Sequence, residues 1–173
     1  RIFTYTRGTL ILSNNPYMYK LDPYVKVSNK WNDRYLALAK QVAEWSKDPS
    51  RKIGAVAVGD KGQILSQGYN GFPRGVYDSQ ERYNDRPTKY KLVVHAEMNV
   101  IYNATYNGVS LDGATLYVHG LPCCSDCAKG IIQVGIKKVV MPTQEIPEEW
   151  IESWKLSQAI FDEAGVGYEF IDQ

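Results

Sequence analysis

The segment that decides the fold spans residues 95–141 and reads HAEMNVIYNATYNGVSLDGATLYVHGLPCCSDCAKGIIQVGIKKVVM. Its apolar periodicity predicts a helix over residues 96–107, a strand over 115–119, a helix over 125–134 and a strand over 137–141. Because these strands are linked through helices, the pattern indicates a mixed sheet with helices packed on both faces. The fold class predicted is a three-layer α/β/α architecture.

The flanking sequence supplies the rest of the sheet. The further predicted elements are a helix from about residue 32 to 48, strands over 53–58 and 63–68, a helix over 147–164 and a strand over 168–171. Turn-forming Asp60 and Gly62 between the two earlier strands predict a hairpin. Together with residues 95–141, these elements predict a central mixed five-stranded sheet.

Two segments fall outside the predicted elements. Residues 1–30 carry several turn formers and two short predicted strands, over 2–6 and 9–12, so we interpret them as an N-terminal extension before one domain of residues 31–173. Residues 69–91 are polar and predict a long loop. A loop of that length inside a compact domain is typically functional or mobile.

Bulk composition narrows the function classes. The 173 residues suit a single domain, with 44% hydrophobic and 23% charged residues and a net charge of +1. A near-neutral chain without a basic stripe disfavours a nucleic-acid polymer as partner, since such binding depends on phosphate neutralisation. The sequence has no long apolar run and begins without the apolar core of a signal peptide, which predicts no membrane contact and a cytoplasmic protein, of the host cell if the source is viral.

Three candidate metal ligands occur at two predicted helix starts. His95 opens one helix, and Cys124 and Cys127 open the next one, 29 and 32 residues further on. Zinc in a hydrolytic site typically takes three protein ligands and leaves a fourth position for water, and one imidazole with two thiolates meets that need. Helix N-termini also lower thiolate pKa values. The pattern therefore predicts a Zn²⁺ site.

Glu97 is the candidate catalytic residue. It lies two positions after His95, so its carboxylate can sit beside a zinc-activated water without ligating the metal, and it can carry protons there. The combination H-x-E with P-C-x-x-C is the signature of zinc-dependent deaminases of nucleobases. In this chain Pro122 is followed by Cys123 before the C-x-x-C pair, and we prefer Cys124 over Cys123 as the ligand because its spacing to the second cysteine matches the signature.

A structural zinc module is the alternative from a different class. Such a site takes a fourth Cys or His ligand, and Cys123 and His119 are the remaining candidates. Cys123 is adjacent to Cys124 and poorly directed for chelating the same ion, while His119 ends a predicted strand. A structural site has no use for the carboxylate of Glu97, so the pattern favours catalysis.

With these motifs the chain resembles the cytidine deaminase superfamily, and within it the deoxycytidylate deaminases. The resemblance runs from about residue 31 to 171 and is carried by the segments SKDP at 46–49, IGAV at 53–56, GYNGFPRG at 68–75, HAEMN at 95–99 and CSDCAK at 124–129. It implies the cytidine-deaminase-like fold and hydrolysis of dCMP to dUMP and ammonia by a zinc-activated water, with Glu97 as proton shuttle. Other cytosine or adenine nucleoside and nucleotide deaminases remain the alternative, and the segment GYNGFPRG argues against them.

The resemblance also implies roles for binding residues. Asn70 is expected to bind the sugar hydroxyl, and the backbone N–H of Ala96 the pyrimidine carbonyl. A buried phosphate needs cations, for which Lys52, Arg51 and Arg74 are the nearest candidates by motif context. The further basic candidates, in the predicted long loop, are Arg82, Arg86, Lys89 and Lys91.

Regulation and assembly are further implications of the resemblance. Deoxycytidylate deaminases are commonly homo-hexamers controlled by dCTP and dTTP, with Mg²⁺ accompanying the triphosphate. The effector-binding residues expected by motif position are Tyr69, Asn70, Gly71 and Asn99.

Overall fold

A computed structural model of the chain describes residues 30–172, and the strands predicted over 2–6 and 9–12 lie outside that range. The described elements are, in chain order, α1 (Lys30–Ala43), β1 (Gly54–Val58), β2 (Ile64–Tyr69), α2 (Gln80–Asn84), α3 (Arg86–Leu92), α4 (Ala96–Tyr106), β3 (Thr115–His119), α5 (Ser125–Gln133), β4 (Lys138–Pro142), α6 (Glu148–Ala164) and β5 (Gly167–Ile171). Among these helices, none combines the length and the apolar character needed to cross a membrane.

The five strands form one mixed sheet in the order β2-β1-β3-β4-β5. Strand β1 pairs antiparallel with both β2 and β3, whereas β3, β4 and β5 are mutually parallel. The parallel strands are joined through helices α5 and α6, because parallel neighbours need a crossover connection. The predicted mixed five-stranded sheet is confirmed.

The two faces of the sheet bury different helices. Along β1, Val56 packs with Leu36 and Val42 of α1, while Ala55 and Ala57 belong to the cluster that includes α4, α5 and α6. This alternation follows from the two-residue period of a strand, which sends successive side chains to opposite faces. The result is a three-layer α/β/α domain, in agreement with the predicted fold class.

Two glycines let helices approach the sheet closely. A Cβ atom at Gly54 would overlap the backbone of Ala39 and Ala43 in α1, and one at Gly68 would overlap the backbone of Ala96 and Val100 in α4. Only glycine permits these approaches. Gly54 thus brings α1 against β1, and Gly68 brings the first turn of α4 against β2.

The prediction of a loop over residues 69–91 is wrong in part, because the segment contains α2 and α3. The Ser79 hydroxyl accepts a hydrogen bond from the Arg82 N–H and caps α2, and Pro87 lies in the first turn of α3. The two helices have five and seven residues. Helices of one or two turns show too few repeats for apolar periodicity to reveal them.

Tertiary contacts hold these short helices on the domain. Tyr83 of α2 is 3% exposed and stacks on Phe72 with the ring centroids 4.2 Å apart. Lys89 of α3 is 7% exposed. Because isolated short helices are unstable in water, packing of these two side chains is what stabilises the segment.

Candidate active site

Three metal-binding side chains converge where α4 and α5 begin. The Nδ1 atom of His95 lies 3.3 Å from Cys124 Sγ and 3.4 Å from Cys127 Sγ, and the three donor atoms lie within 4.8 Å of one another. A zinc ion bound tetrahedrally at about 2.0 Å from nitrogen and about 2.3 Å from sulfur holds such donors about 3.5 Å apart. The donor set and its spacing therefore fit zinc.

Local structure accounts for this convergence. His95 and Cys124 are the N-cap residues of α4 and α5, and the Cys124 sulfur accepts a hydrogen bond from the Cys127 N–H at 3.5 Å. A bridge between Gly71 and Val94 holds the chain entering α4, with N···O distances of 2.8 and 3.1 Å. Both helix N-termini direct their positive ends at the donor group, which favours anionic ligands.

The electrostatics of the cluster favour a thiolate. Hydrogen bonds, first from Cys127 and then from His95, lower the pKa of Cys124 to about 4. The hydrogen bond to Cys124 raises the pKa of His95 to about 9, and the pKa of Cys127 is raised because its thiol donates to Cys124 and is buried. The thiolate is the form that binds a metal, so Cys124 carries a ligand charge in the metal-free cluster, and binding of a metal at His95 and Cys127 requires release of their protons.

Glu97 lies in the first turn of α4 and is 4% exposed. It lines the same pocket as His95 and Cys124, but within residues 30–172 its carboxylate is not a member of the metal-binding group. Burial raises the pKa of this carboxyl above its ordinary value. A non-ligating carboxyl beside a metal group can accept and return a proton.

Neither alternative fourth ligand joins the group. Cys123 is fully buried in the apolar core, where burial raises the pKa of its thiol, and His119 ends β3 with a pKa lowered by burial. Among the described residues, the metal-binding group contains only His95, Cys124 and Cys127. Three protein donors with a position left open are typical of a catalytic zinc site.

Helix α6 supports the cysteine loop through two serines that the sequence analysis missed. The buried Ser157 hydroxyl donates to the Cys123 carbonyl at 2.8 Å. The Ser153 hydroxyl accepts from the Ser125 N–H at 3.0 Å, at the first helical position of α5. These contacts fix the backbone on both sides of Cys124.

Replacing Ser157 by alanine is expected to lower the free energy of unfolding by about 1–3 kcal/mol, because the buried Cys123 carbonyl loses its hydrogen bond. Urea unfolding of the zinc-loaded protein measures this loss. Ser110→Ala removes a hydroxyl whose hydrogen bond, accepted from the Asp112 N–H at 3.2 Å, is exposed to water, so it serves as the control and should cost less than about 1 kcal/mol. Equal effects of the two substitutions would contradict the role of Ser157.

A pocket of about 430 Å³ opens next to the metal-binding group. Pockets for small molecules typically have volumes of about 300–1,000 Å³, so a nucleotide-sized ligand is within its capacity. Acidic and basic side chains lie in its wall together with aromatic ones. Its lining residues beyond the metal-binding group include Asp48, Arg51, Asn70, Tyr83, Arg86, Lys89, Glu97, Glu149 and Trp150.

The structure places Asn70 and Ala96 in the pocket, as the sequence analysis expected of substrate-binding residues. Asn70 is 6% exposed; its Oδ1 accepts from the Ile53 N–H at 2.8 Å, and its Nδ2 donates to the Arg51 carbonyl at 3.0 Å. Ala96 is the first residue of α4, and first-turn N–H groups have no partner within their helix.

Lys52 and Arg74, predicted to bind substrate, do not line the pocket. Lys52 points to Glu44, with Nζ 3.2 Å from Oε2, and Arg74 hydrogen-bonds Asn103 and lies over the Tyr106 ring. The adjacent Arg51 lines the pocket where Lys52 does not. The cations that line the pocket are instead Arg51, Arg86 and Lys89.

The predicted effector residues lie beside the pocket, at the end of β2. The Asn99 amide donates to the Tyr69 carbonyl at 2.8 Å, and Gly71 forms the bridge to Val94. Of the four predicted residues, only Asn70 lines the pocket.

Several pocket residues were missed by the sequence analysis. Asp48 was interpreted only as the end of the first helix, although its carboxylate lines the pocket. Tyr83 lies in the segment predicted as a loop, and Glu149 and Trp150 lie in the first turn of α6. The length of the polar segment was the one signal in the sequence that pointed to this wall.

Fold and site together define a class of protein. A mixed sheet that places one histidine, two cysteines and a non-ligating glutamate at two helix N-termini is the arrangement of a zinc-dependent nucleobase deaminase. The profile described as the cytidine and deoxycytidylate deaminase zinc-binding region matches residues 29–143. The chain belongs to this family and is a zinc-dependent deaminase.

Individual relatives agree with this assignment. An uncharacterized deaminase of Aliivibrio fischeri is 41% identical over 140 residues, which cover 80% of this chain and 91% of the relative. The deoxycytidylate deaminase of Homo sapiens is 34% identical over 154 residues, covering 86% and 82% of the two chains. The crystal structure of dCMP deaminase from the cyanophage S-TIM5 in complex with dCMP and dUMP matches with a TM-score of 0.65 and 28% identity, over 83% of this chain and 98% of that one.

Proposed function

We propose that the protein hydrolyses dCMP to dUMP and ammonia. The observation that carries the proposal is one pocket that joins the metal-binding group and Glu97 to the cations Arg51 and Arg86. Deamination requires the metal-binding group and Glu97, and a nucleotide phosphate requires the two cations. The human relative and the cyanophage enzyme with dCMP and dUMP bound support the same substrate.

At the reacting end of the pocket, the metal-binding group and Glu97 have separate roles. His95, Cys124 and Cys127 would hold zinc, which would supply a Lewis acid that makes a water molecule nucleophilic near neutral pH. Glu97 takes one proton from the attacking water and delivers it to the ring nitrogen, and it then carries the second proton, from the hydroxyl left on the ring carbon, to the amino group, which departs as ammonia. Its burial, at 4% exposure, keeps bulk water from competing for that proton.

The base and the sugar are held by Ala96 and Asn70. The Ala96 N–H, free of an intrahelical partner, donates to the pyrimidine carbonyl. Both Nδ2 protons of Asn70 are directed at protein acceptors, Arg51 O at 3.0 Å and Asp48 Oδ2 at 3.4 Å. Its Oδ1 accepts one protein hydrogen bond and has a second lone pair, so it accepts from the sugar hydroxyl.

Arg51 and Arg86 hold the phosphate. Both line the pocket, and a guanidinium matches two phosphate oxygens with parallel N–H donors. Arg86 Nη2 lies 3.4 Å from Glu149 Oε1 across the pocket mouth. An arriving phosphate therefore competes with Glu149 for Arg86.

The proposal extends to control by dCTP and dTTP and to assembly into a homo-oligomer. Tyr69, Gly71 and Asn99 adjoin Asn70, so a triphosphate with Mg²⁺ bound there would act on the sugar-binding residue through the same backbone segment. On the outer face of α4, Tyr102 and Tyr106 are 50% and 84% exposed. Exposed tyrosines one helical turn apart are suited to a subunit contact.

The substrate is tested by incubating zinc-loaded protein separately with dCMP, deoxycytidine and dCTP and following the loss of cytosine absorbance. We expect dCMP to have a kcat/KM about 100-fold or more above that of deoxycytidine, because the phosphate-binding side chains are unsatisfied without the phosphate. The dCMP reaction is repeated with dTTP added, and suppression of dCMP turnover would support the proposed regulation. Equal turnover of deoxycytidine would contradict the proposed phosphate site. Stoichiometric zinc with no turnover of any substrate would support the alternative that the protein is a structural zinc module.

A further inference from the structure

A buried ion pair lies in the wall of the pocket. Lys89 Nζ is 3.1 Å from Asp48 Oδ1, and the side chains are 9% and 4% exposed. In the other ion pairs described within residues 30–172, every side chain is at least 37% exposed. Because burying a charge is costly unless it is paired, neither member of this pair can be removed alone without consequence.

Asp48 joins the segments that carry the binding residues. Its Oδ1 accepts from the N–H groups of Ser50 at 2.8 Å and Arg51 at 3.3 Å, and its Oδ2 accepts from Asn70 Nδ2 at 3.4 Å. The carboxylate thus positions a proposed phosphate-binding residue and the proposed sugar-binding residue. It also places a negative charge in the pocket that receives a phosphate dianion.

The balance of charge in this wall depends on Lys89. Away from the metal end, two arginines, Arg51 and Arg86, face two carboxylates, Asp48 and Glu149. These four charges cancel, and the ammonium of Lys89 leaves the wall with one net positive charge. Without that ammonium, the carboxylate of Asp48 would oppose the phosphate in a partly desolvated site, where charge interactions are strong.

We propose that Lys89 is a specificity-determining residue, which neutralises Asp48 and thereby allows the pocket to prefer a phosphorylated nucleotide over a nucleoside. The inference rests on the proposed function, because it assumes that the pocket binds a nucleoside monophosphate. Lys89 acts through Asp48, so it is a positioning residue and not a phosphate ligand. The same pair holds α3, and with it Arg86, against the segment 48–53.

The test is Lys89→Met, which removes the charge and keeps an apolar stem of similar length. We expect KM for dCMP to rise about tenfold or more, since an uncompensated carboxylate remains, while kcat stays within about threefold. The kcat/KM for deoxycytidine should also stay within about threefold. Zinc content and far-UV circular dichroism verify that the variant is folded and loaded.

The double variant Asp48→Asn with Lys89→Met is the matched control. Neither charge is present, and the asparagine oxygen still accepts from the Ser50 and Arg51 N–H groups, but the asparagine amide replaces the oxygen that accepted from Asn70. Because Asn70 contacts the sugar that both substrates share, the ratio of kcat/KM for dCMP to that for deoxycytidine is the quantity compared, and it is expected to return to within about threefold of the unsubstituted protein. A ratio that stays about tenfold low in the double variant would mean that Lys89 binds the phosphate itself, and would overturn the proposal.

Further results of these experiments would also overturn the proposed role of Lys89. Equal losses on dCMP and deoxycytidine in Lys89→Met, or no change on either, would overturn the proposal. If Lys89→Met does not fold, Asp48→Asn alone tests the same point: it leaves the ammonium unopposed, so the ratio of kcat/KM for dCMP to that for deoxycytidine should be equal or higher, and a fall in that ratio in the folded protein contradicts the inference. Failure of the unsubstituted protein to turn over dCMP would instead refute the proposed function.

Discussion

Replacement of Glu97 by glutamine is expected to lower kcat for dCMP by about 10³-fold or more while zinc and fold are retained. General acid–base catalysis contributes about 10²–10⁴-fold, and here one carboxyl serves both the water and the leaving ammonia. Glutamine has the same shape as glutamate and cannot take a proton. Steady-state kinetics with dCMP, together with zinc analysis of the same sample, measures both quantities.

The control for this prediction is Glu152→Gln, which alters a carboxylate that is 84% exposed and lies outside the pocket. It should leave kcat and zinc content unchanged. Loss of zinc in Glu97→Gln would contradict the separation of this carboxylate from the metal-binding group, and a kcat within about tenfold of the unsubstituted value would contradict its role as proton shuttle.

Cys124→Ala is expected to abolish stoichiometric zinc and, with it, turnover. Loss of an outer hydrogen-bond partner costs about 10- to 100-fold in metal affinity, and loss of a ligand from a three-donor site exceeds that. Competition with a chromophoric chelator measures the affinity. Circular dichroism of the same variant separates loss of the metal from loss of the fold.

Cys123→Ala is the matched control, because it removes the neighbouring thiol from the same loop. Cys123 is fully buried and is not a member of the metal-binding group, so this variant should retain zinc even if its apolar packing is weakened. Retained zinc in Cys124→Ala with lost zinc in Cys123→Ala would move the ligand assignment to Cys123. The sequence favoured Cys124 by its spacing to Cys127, and the donor distances agree with that preference.

The chemistry of the site was predictable because it is encoded locally. His95 and Glu97 are two positions apart, and Cys124 and Cys127 are three positions apart. Each pair lies at the start of one helix, so the helix geometry alone sets the distance between its two side chains. The long helices and the buried strands were predictable for a related reason, since apolar periodicity over many residues indicates which face must be covered. Even the end of α6 followed from Gly165, which adopts the left-handed conformation at its C-cap.

Residues 80–92 are the segment whose secondary structure the local sequence did not predict. The sequence alone predicted a loop, because α2 and α3 are too short to be stable without the burial of Tyr83 and Lys89. Their helical conformation is a consequence of tertiary packing. The polar character of the segment, which hid the helices, reflects its position as a wall of the pocket.

By itself the sequence therefore predicted the fold class, which the structure confirms, and the three candidate metal ligands and the carboxylate, which the structure brings to one pocket. Tertiary structure alone decided which of the basic candidates line that pocket, namely Arg51, Arg86 and Lys89 and not Lys52 and Arg74. The physical reason is the separation along the chain of the residues that interact. Local spacing sets how residues on one helix turn are related, whereas the Lys89–Asp48 pair joins residues 41 positions apart and exists only once α3 packs on the chain between α1 and β1.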